Sequence, residues 1–133
     1  MTPTFTWRGD LTSAEVEALH AEGFDHAPLR GADWEGRLRR HSLGWVCARS
    51  ADGSLTGFVN VAWDGGAHAF ILDTVVAKAA HRRGVGVELI RTAAREARAA
   101  GCEWLHVDFE DKLHDFYITG CGFTPTPAGL IAL

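Results

Sequence analysis

The sequence has little cysteine, no large excess of charge of either sign and no long apolar run. Its three cysteines, Cys47, Cys102 and Cys121, are odd in number and widely spaced, which argues against a disulfide framework and against paired zinc ligands. No apolar stretch approaches the ~20 residues of a membrane-spanning helix, and the first ten residues lack the basic-then-apolar pattern of a secretory signal. These absences predict reduced thiols in a cytoplasmic protein with no membrane partner.

The net charge and the chain length further restrict the class of protein to which the sequence can belong. The net charge at pH 7 is −4, whereas a generic nucleic-acid binder has a basic surface, so we expect no nucleic-acid partner. A chain of 133 residues is long enough for one domain with a buried core and too short for two. The sequence therefore predicts a single domain over residues 1–133.

Hydrophobic periodicity divides the chain into strands and helices. A capping box that begins at Thr12 predicts a first helix that runs to about Glu22 and ends at Gly23. A second helix is predicted over Trp34 to His41. The predicted strands cover residues 5–7, 45–49, 55–63, 67–76, 103–109 and 129–133, and the remaining helices cover residues 87–100 and 112–119.

The stretch from Val75 to Ala100 joins a strand end, a short basic loop with two glycines and a helix. A helix start carries unpaired N–H groups and the positive end of a dipole, so such a junction can bind an anion. A Walker loop is excluded because its glycine–lysine–serine/threonine ending is missing. A dinucleotide loop fits Gly84 and Gly86, but Leu89 occupies its third position, where glycine or alanine belongs. The third alternative is a loop that holds the pyrophosphate of an acyl-CoA.

This loop resembles the signature of the GNAT superfamily of N-acetyltransferases, Gln/Arg-x-x-Gly-x-Gly/Ala. It reads His81-x-x-Gly84-x-Gly86 here, with histidine at the first position. The resemblance implies that backbone groups of Val75 and Val76 line the pantetheine arm and polarise the thioester carbonyl. It implies that the loop holds the pyrophosphate; the expected ligands are His81, Arg82, Arg83, Gly84, Val85, Gly86 and Val87.

A second motif supports the same family. Phe116-Tyr117 followed by Gly122-Phe123 resembles its Phe-Tyr-x-x-x-Gly-Phe segment, with four residues in place of three before the glycine. The extra residue has to bulge within residues 118–121. The order of the predicted elements is also similar to that family over nearly the whole chain. The resemblance implies an α/β fold of GNAT type (an α+β mixed sheet), with a mostly antiparallel central sheet of about 6–7 strands and about 4 flanking helices.

The resemblance implies transfer of an acetyl group from acetyl-CoA, as cosubstrate and without a metal, to a primary amine by direct attack in a ternary complex. Tyr117 is the only tyrosine; a phenol, with a pKa near ~10, can protonate or hydrogen-bond to a leaving thiolate. Two residues are alternatives for the base. His106 lies on the polar face of the strand predicted over residues 103–109, and a neutral imidazole accepts a proton near pH 7. Asp73 interrupts an apolar strand, where a carboxylate needs a partner or a purpose.

A second function class stays open at this point, namely a non-catalytic acyl-CoA-binding or sensing module with a degenerate GNAT site. The histidine at the first loop position favours it, as do the long spacing from Tyr117 to Gly122 and the absence of the asparagine that is frequent near Glu110. Turnover of acetyl-CoA with a panel of amines separates the two classes. The acceptor, a small-molecule or peptide amine, and the oligomeric state, monomer or homodimer, are left open by the sequence.

Overall fold

Residues 2–133 are described by a computed structural model, and a five-stranded sheet lies at its centre. The strands lie side by side in chain order. All neighbouring pairs are antiparallel except the last, which is parallel. The strands are β1 Thr4–Trp7, β2 Ser42–Arg49, β3 Leu55–Trp63, β4 His68–Val76 and β5 Trp104–His106.

Three α-helices pack against this sheet: α1 Ser13–Phe24, α2 Trp34–His41 and α3 Val85–Ala99. Helix α1 begins at the predicted capping box, in which Thr12 and Glu15 each accept from the other's backbone N–H. Asp33 caps α2 by accepting from the N–H of Gly36. None of the helices within residues 2–133 is long and apolar enough to cross a membrane.

The two faces of the sheet build two separate cores. Successive strand residues point to opposite faces, so the neighbours Phe58 and Val59 of β3 belong to different cores. Helix α3 packs over the face that carries Val59, whereas α1 and α2 pack over part of the face that carries Phe58. The core under α1 and α2 contains Val16, Leu19, Trp34, Leu38, Phe58 and Val75.

Helix α1 runs past the predicted end at Gly23. It continues to Phe24, and Asp25 follows in the left-handed conformation with a φ of 53°. A Cβ on Gly23 would lie 2.2 Å from the Val75 side chain. The glycine therefore allows α1 to approach β4 closely and does not end the helix.

The C-terminal part departs furthest from the prediction. Strand β5 spans only Trp104–His106, and the strand predicted over residues 129–133 is not formed in the described chain. Residues 124–133 are exposed, and Pro125 and Pro127 remove two backbone donors from the segment that would have to pair. The mixed α/β class is confirmed, but the described sheet has five strands rather than 6–7.

The helix predicted over residues 112–119 is also modified. A single 3₁₀ turn, Asp111–Leu113, precedes a π-helical segment, Asp115–Gly120. The wider winding accommodates one extra residue per turn: the N–H of Cys121 donates to the carbonyl of Phe116. The extra residue between Tyr117 and Gly122 is thus absorbed by π-helical geometry.

All three cysteines are free thiols. Cys47 is buried in the sheet, and Cys102 and Cys121 are partly exposed. Burial raises the pKa of the Cys47 thiol to about 11, so that this side chain is protonated at neutral pH and behaves as a small apolar group.

Candidate active site

Strand β4 carries a β-bulge near its C-terminal end. Its pairing with β3 shifts by one residue there, so that Asp73 and Thr74 together lie opposite the single residue Val59. Asp73 has a φ of 58°, a left-handed conformation that aspartate tolerates better than most non-glycine residues. Bulges redirect side chains and are frequent beside active sites. This one presents Asp73 to the side of the sheet that α1 and α2 cover.

A cleft of about 460 Å³ opens beside the bulge between α1, α2 and β4. It has acidic, basic and aromatic side chains in its wall. The lining residues are Glu17, His20, His26, Leu29, Ala32, Asp33, Trp34, Arg37, Arg40 and Asp73.

Asp73 is the point at which charges from both helices meet. Its carboxylate lies 3.2 Å from Nε2 of His20 on α1 and 3.6 Å from a guanidinium nitrogen of Arg37 on α2. The guanidinium carbon of Arg37 also lies 3.9 Å from the ring centre of Trp34, within cation–π range. The sequence predicts that Asp73 needs a partner, and the structure provides two, His20 on α1 and Arg37 on α2.

Glu17 connects the elements that form the wall of the cleft. Glu17 is only 5% exposed, and its carboxylate accepts hydrogen bonds of 2.9 Å from the N–H of Leu29 and from Nε1 of Trp34. The bond from Leu29, followed by that from Trp34, lowers the pKa of the Glu17 carboxyl against the opposing effect of burial. This carboxylate ties α1 to the loop before α2 and to α2 itself, and so shapes the cleft.

The other side of the bulge faces Tyr117. The Thr74 hydroxyl is buried and has no hydrogen-bond partner of good geometry within residues 2–133, although it is near enough to Tyr117 to favour the phenolate. Tyr117 is 5% exposed and stacks on Phe109 with ring centres 5.0 Å apart. Burial raises the pKa of Tyr117, an effect that Thr74 partly offsets. The phenol is therefore protonated at neutral pH and can act as a donor.

Strands β4 and β5 separate before the chain of β4 reaches the bulge. Their last pair is Phe70 with His106, after which the edge of β4 has no strand partner in the part of the chain that is described. The Val76 carbonyl on this free edge accepts a hydrogen bond of 2.9 Å from Nε2 of His81. The first residue of the loop motif thus folds back onto the strand.

The rest of the loop leads into α3 with few internal partners. Arg82 and Gly84 have φ values of 63° and 76°, and Gly84 stands at the N-cap, where no side chain of the described residues accepts from the helix. Arg82 and Arg83 are exposed and make no ion pair with residues 2–133. The start of α3 therefore offers free N–H groups and unpaired positive charge.

The two glycines differ in their surroundings. A Cβ on Gly84 would meet nothing within 4 Å, whereas one on Gly86 would lie 2.9 Å from the Phe116 ring. Gly84 serves the backbone conformation, and Gly86 lets the segment that carries Tyr117 approach the helix. Val85 is buried in the core under α3, and Val87 is partly buried.

His106 lies apart from the cleft. Its Nε2 is 2.8 Å from Nδ1 of His68, and its ring stacks on Phe70 with centres 4.7 Å apart. It is exposed on the sheet face that α1 leaves uncovered. Of the two sequence alternatives for the base, Asp73 lines the cleft and His106 does not.

The sequence reading missed the histidines of this cleft. His20 shares the buried face of α1 with Val16 and Leu19, and a titratable side chain on such a face was the available signal. His26 had no comparable signal, because only the folded loop after α1 brings it beside His20 and Glu17. Within residues 2–133, no group of three or more metal-ligating side chains is arranged to hold a metal ion.

Residues 8–123 match the sequence profile of the Acetyltransferase (GNAT) family. No curated protein shows a significant sequence match. Among solved structures, a GNAT family acetyltransferase from Streptococcus pneumoniae is 20% identical, with 99% of this chain and 98% of that chain covered and a TM-score of 0.79. A protein from Agrobacterium tumefaciens, described as a proposed acetyltransferase, is 19% identical over 98% and 99% of the chains, with a TM-score of 0.83.

A third structure contains a cofactor-derived ligand. AAC(6')-Iy, solved in complex with the bisubstrate analogue CoA-S-monomethyl-acetylneamine, is 20% identical, with 100% of this chain and 98% of that chain covered and a TM-score of 0.79. At such identities the structures bear on the fold alone. The sequence profile spans most of the chain and includes both motifs, and the chain therefore belongs to the Acetyltransferase (GNAT) family.

Proposed function

We propose that this chain transfers an acetyl group from acetyl-CoA to a primary amine, by direct attack within a ternary complex. One observation carries the proposal. The bulge of β4 presents Asp73 to a cleft that can receive an acceptor, and the adjacent Thr74 faces Tyr117 on the other side. A base and an acid thus lie on either side of one short stretch of free strand edge. Acyl transfer to an amine requires both a base and an acid.

The residues present fit an acyl-CoA. The buried Thr74 hydroxyl has no partner of its own among residues 2–133, and the open, uncapped start of α3 is flanked by exposed arginines. We propose that Arg82, Arg83 and the N–H groups of residues 84–87 hold the pyrophosphate and that Val75 and Val76 line the pantetheine arm. When bound, acetyl-CoA supplies an acetyl group activated as a thioester.

We assign the role of base to Asp73 in preference to His106. The Asp73 carboxylate lines the cleft and attracts an ammonium group, while His106 is engaged with His68 on the open face. Removing a proton from the ammonium frees the nitrogen electron pair for attack. A carboxylate alone is a weak base for an amine, so the groups bonded to Asp73 matter to this role.

We assign the role of acid to Tyr117. Its phenol is protonated at neutral pH, because burial raises its pKa, and a thiolate that leaves beside it can take a hydrogen bond or the proton. The aromatic side chains around it exclude water, which strengthens such an interaction.

Two measurements test the function in sequence. CoA and acetyl-CoA should raise the melting temperature, since a ligand that binds only the folded state stabilises it. Release of free thiol from acetyl-CoA should then depend on an added amine, with hydrolysis in the absence of amine as the control. No thermal shift at millimolar CoA in cofactor-free protein contradicts the cofactor assignment. A thermal shift without turnover for any amine supports the non-catalytic binding module instead.

A further inference from the structure

Two histidines continue the line of contacts that starts at Asp73. Nε2 of His20 lies 3.2 Å from Asp73 Oδ1, Nδ1 of His20 lies 2.7 Å from Nε2 of His26, and Nδ1 of His26 lies 2.8 Å from the carbonyl oxygen of Ala27. All four ring nitrogens are used. The line ends at His26, whose side chain is 34% exposed at the rim of the cleft.

These contacts require three protons. The Ala27 carbonyl can only accept, so Nδ1 of His26 carries one proton. The contact between the two rings needs a second, and the contact between His20 and Asp73 needs a third, on either partner. Two neutral rings with an ionised carboxylate supply only two. In that state, either two nitrogen lone pairs face each other across 2.7 Å or a ring lone pair faces the carboxylate. The geometry fits a line that holds one extra proton.

The charges around the line agree with this count. Glu17 lies 3.9 Å from His26, and Arg37 lies 3.6 Å from Asp73. The carboxylates of Glu17 and Asp73 carry two negative charges beside the line, and the Arg37 guanidinium carries one positive charge. One extra proton on the rings brings the net charge of this group to zero. Asp33 and Arg40, 3.8 Å apart, add an opposite pair at the rim.

Aromatic rings cover most of His20, the middle member of the line, and leave its side chain 19% exposed. Phe24 and Trp34 flank His20, with ring centres 4.4 Å and 5.3 Å from its own. A proton on His20 is therefore partly shielded from water, and His26, whose side chain is 34% exposed against 19% for His20 and 23% for Asp73, is the member most open to solvent.

We propose that His20 and His26 are positioning residues that relay the proton of the acceptor amine from Asp73 to water, an inference that rests on the proposed acetyl transfer. The extra proton first leaves through His26 to water. An N–H bond of the acceptor ammonium then breaks, its proton passes to Asp73 and His20, and its electron pair stays on nitrogen for attack on the thioester. The line is then again in its three-proton state.

The proton count can be measured without any ligand. Long-range ¹H–¹⁵N spectra of histidine-labelled protein at neutral pH should show three N–H protons on the four ring nitrogens of His20 and His26, or the third on Asp73 by its carboxyl shift. Asp73→Asn should leave two, because an amide can donate to the ring nitrogen. Two protons in the parent protein, with an ionised Asp73, would overturn the proposal.

Kinetics test the relay itself. His20→Asn should lower kcat/KM by about 10²-fold near pH 7, and the deficit should shrink as the pH approaches ~10, where a primary amine loses its proton unaided. His26→Asn should show the same trend with a smaller amplitude, since water can reach His20 from the rim. His41→Asn, an exposed histidine at the end of α2, should match the parent.

A deficit that is equal at every pH would assign His20 a structural role and contradict the relay, as would a parental pH profile for His26→Asn. If no amine is acetylated at all, the proposed function fails. The spectra then still decide whether the three-proton line exists, so that the two failures are distinguishable.

Discussion

Gly84 and Gly101 stand at opposite ends of α3 in the same left-handed conformation, with φ values of 76° and 94°, and a Cβ on either would meet nothing within 4 Å. They therefore form a matched pair for testing the loop. A side chain at either position carries a similar backbone cost of about 1–2 kcal/mol, but only Gly84 lies at the end of α3 that we propose binds the pyrophosphate.

The first prediction follows from this pair. Gly84→Asp should weaken CoA binding by about tenfold or more, ~1.4 kcal/mol, because the carboxylate repels the pyrophosphate and competes for the free N–H groups of α3. Gly101→Asp should leave CoA affinity unchanged while losing similar stability. Calorimetric titration with CoA and thermal melts of both variants provide the measurement. Equal CoA affinities would show that this loop does not contact phosphate.

Tyr117→Phe separates the enzyme from the binding module. The substitution keeps the ring and its stacking on Phe109 and deletes one hydroxyl. If that hydroxyl assists thiolate departure, turnover should fall by about 10²-fold, with little change in CoA affinity. Steady-state kinetics with whichever amine the screen identifies, together with CoA titration, provide the test. Unchanged turnover would leave Tyr117 with a packing role, and a loss of affinity alone would make it a binding residue.

The buried hydroxyls of Thr74 and Thr92 offer a second matched pair, since neither has a partner within residues 2–133. Thr→Val at either position removes an unsatisfied polar group, so each variant should be about as stable as the parent or more stable, by up to ~1 kcal/mol. Only Thr74→Val should weaken acetyl-CoA binding, by about 3- to 10-fold for one lost hydrogen bond. If both variants bind acetyl-CoA like the parent, the Thr74 hydroxyl does not face the cofactor.

Glu17→Gln should destabilise the protein at neutral pH by about 1–3 kcal/mol, because an amide cannot accept from both Leu29 and Trp34 without turning a donor towards one of them. Glu103→Gln, at an exposed position without a side-chain hydrogen bond among the described residues, is the control. Urea denaturation of each variant and the parent gives the free energies of unfolding.

The loss of stability in Glu17→Gln should depend on pH. The pKa of Glu17 is lowered in the folded state, so the unfolded chain binds its proton first as the pH falls. The stabilisation by Glu17 is therefore complete above the unfolded pKa and is lost as the pH falls through the folded pKa. The difference between parent and Glu17→Gln should narrow in that acidic range. A difference that stays constant down to the acid transition would contradict the assignment to ionised Glu17.

Much of the architecture follows from local patterns in the sequence. Apolar periodicity, the capping box at Thr12 and the apolar run of β4 produced helices and strands close to those predicted, because such features act through neighbours within a few residues. The loop motif at Gly84 and the Phe116-Tyr117 motif likewise indicated the family from residues that lie near each other in the chain. The extra residue before Gly122 was visible as a spacing, although its π-helical form was not.

Only the tertiary structure decided the site. The bulge at Asp73 arises from how β4 pairs with β3, and its contact with His20 joins residues 53 positions apart, which no local pattern encodes. Gly23 is the second-last residue of α1, and the close approach of Val75 from β4 is what requires a glycine there. The missing strand after Pro127 and the separation of His106 from the cleft have the same origin, since strand pairing depends on a distant partner, whereas a helix can be recognised from its own residues.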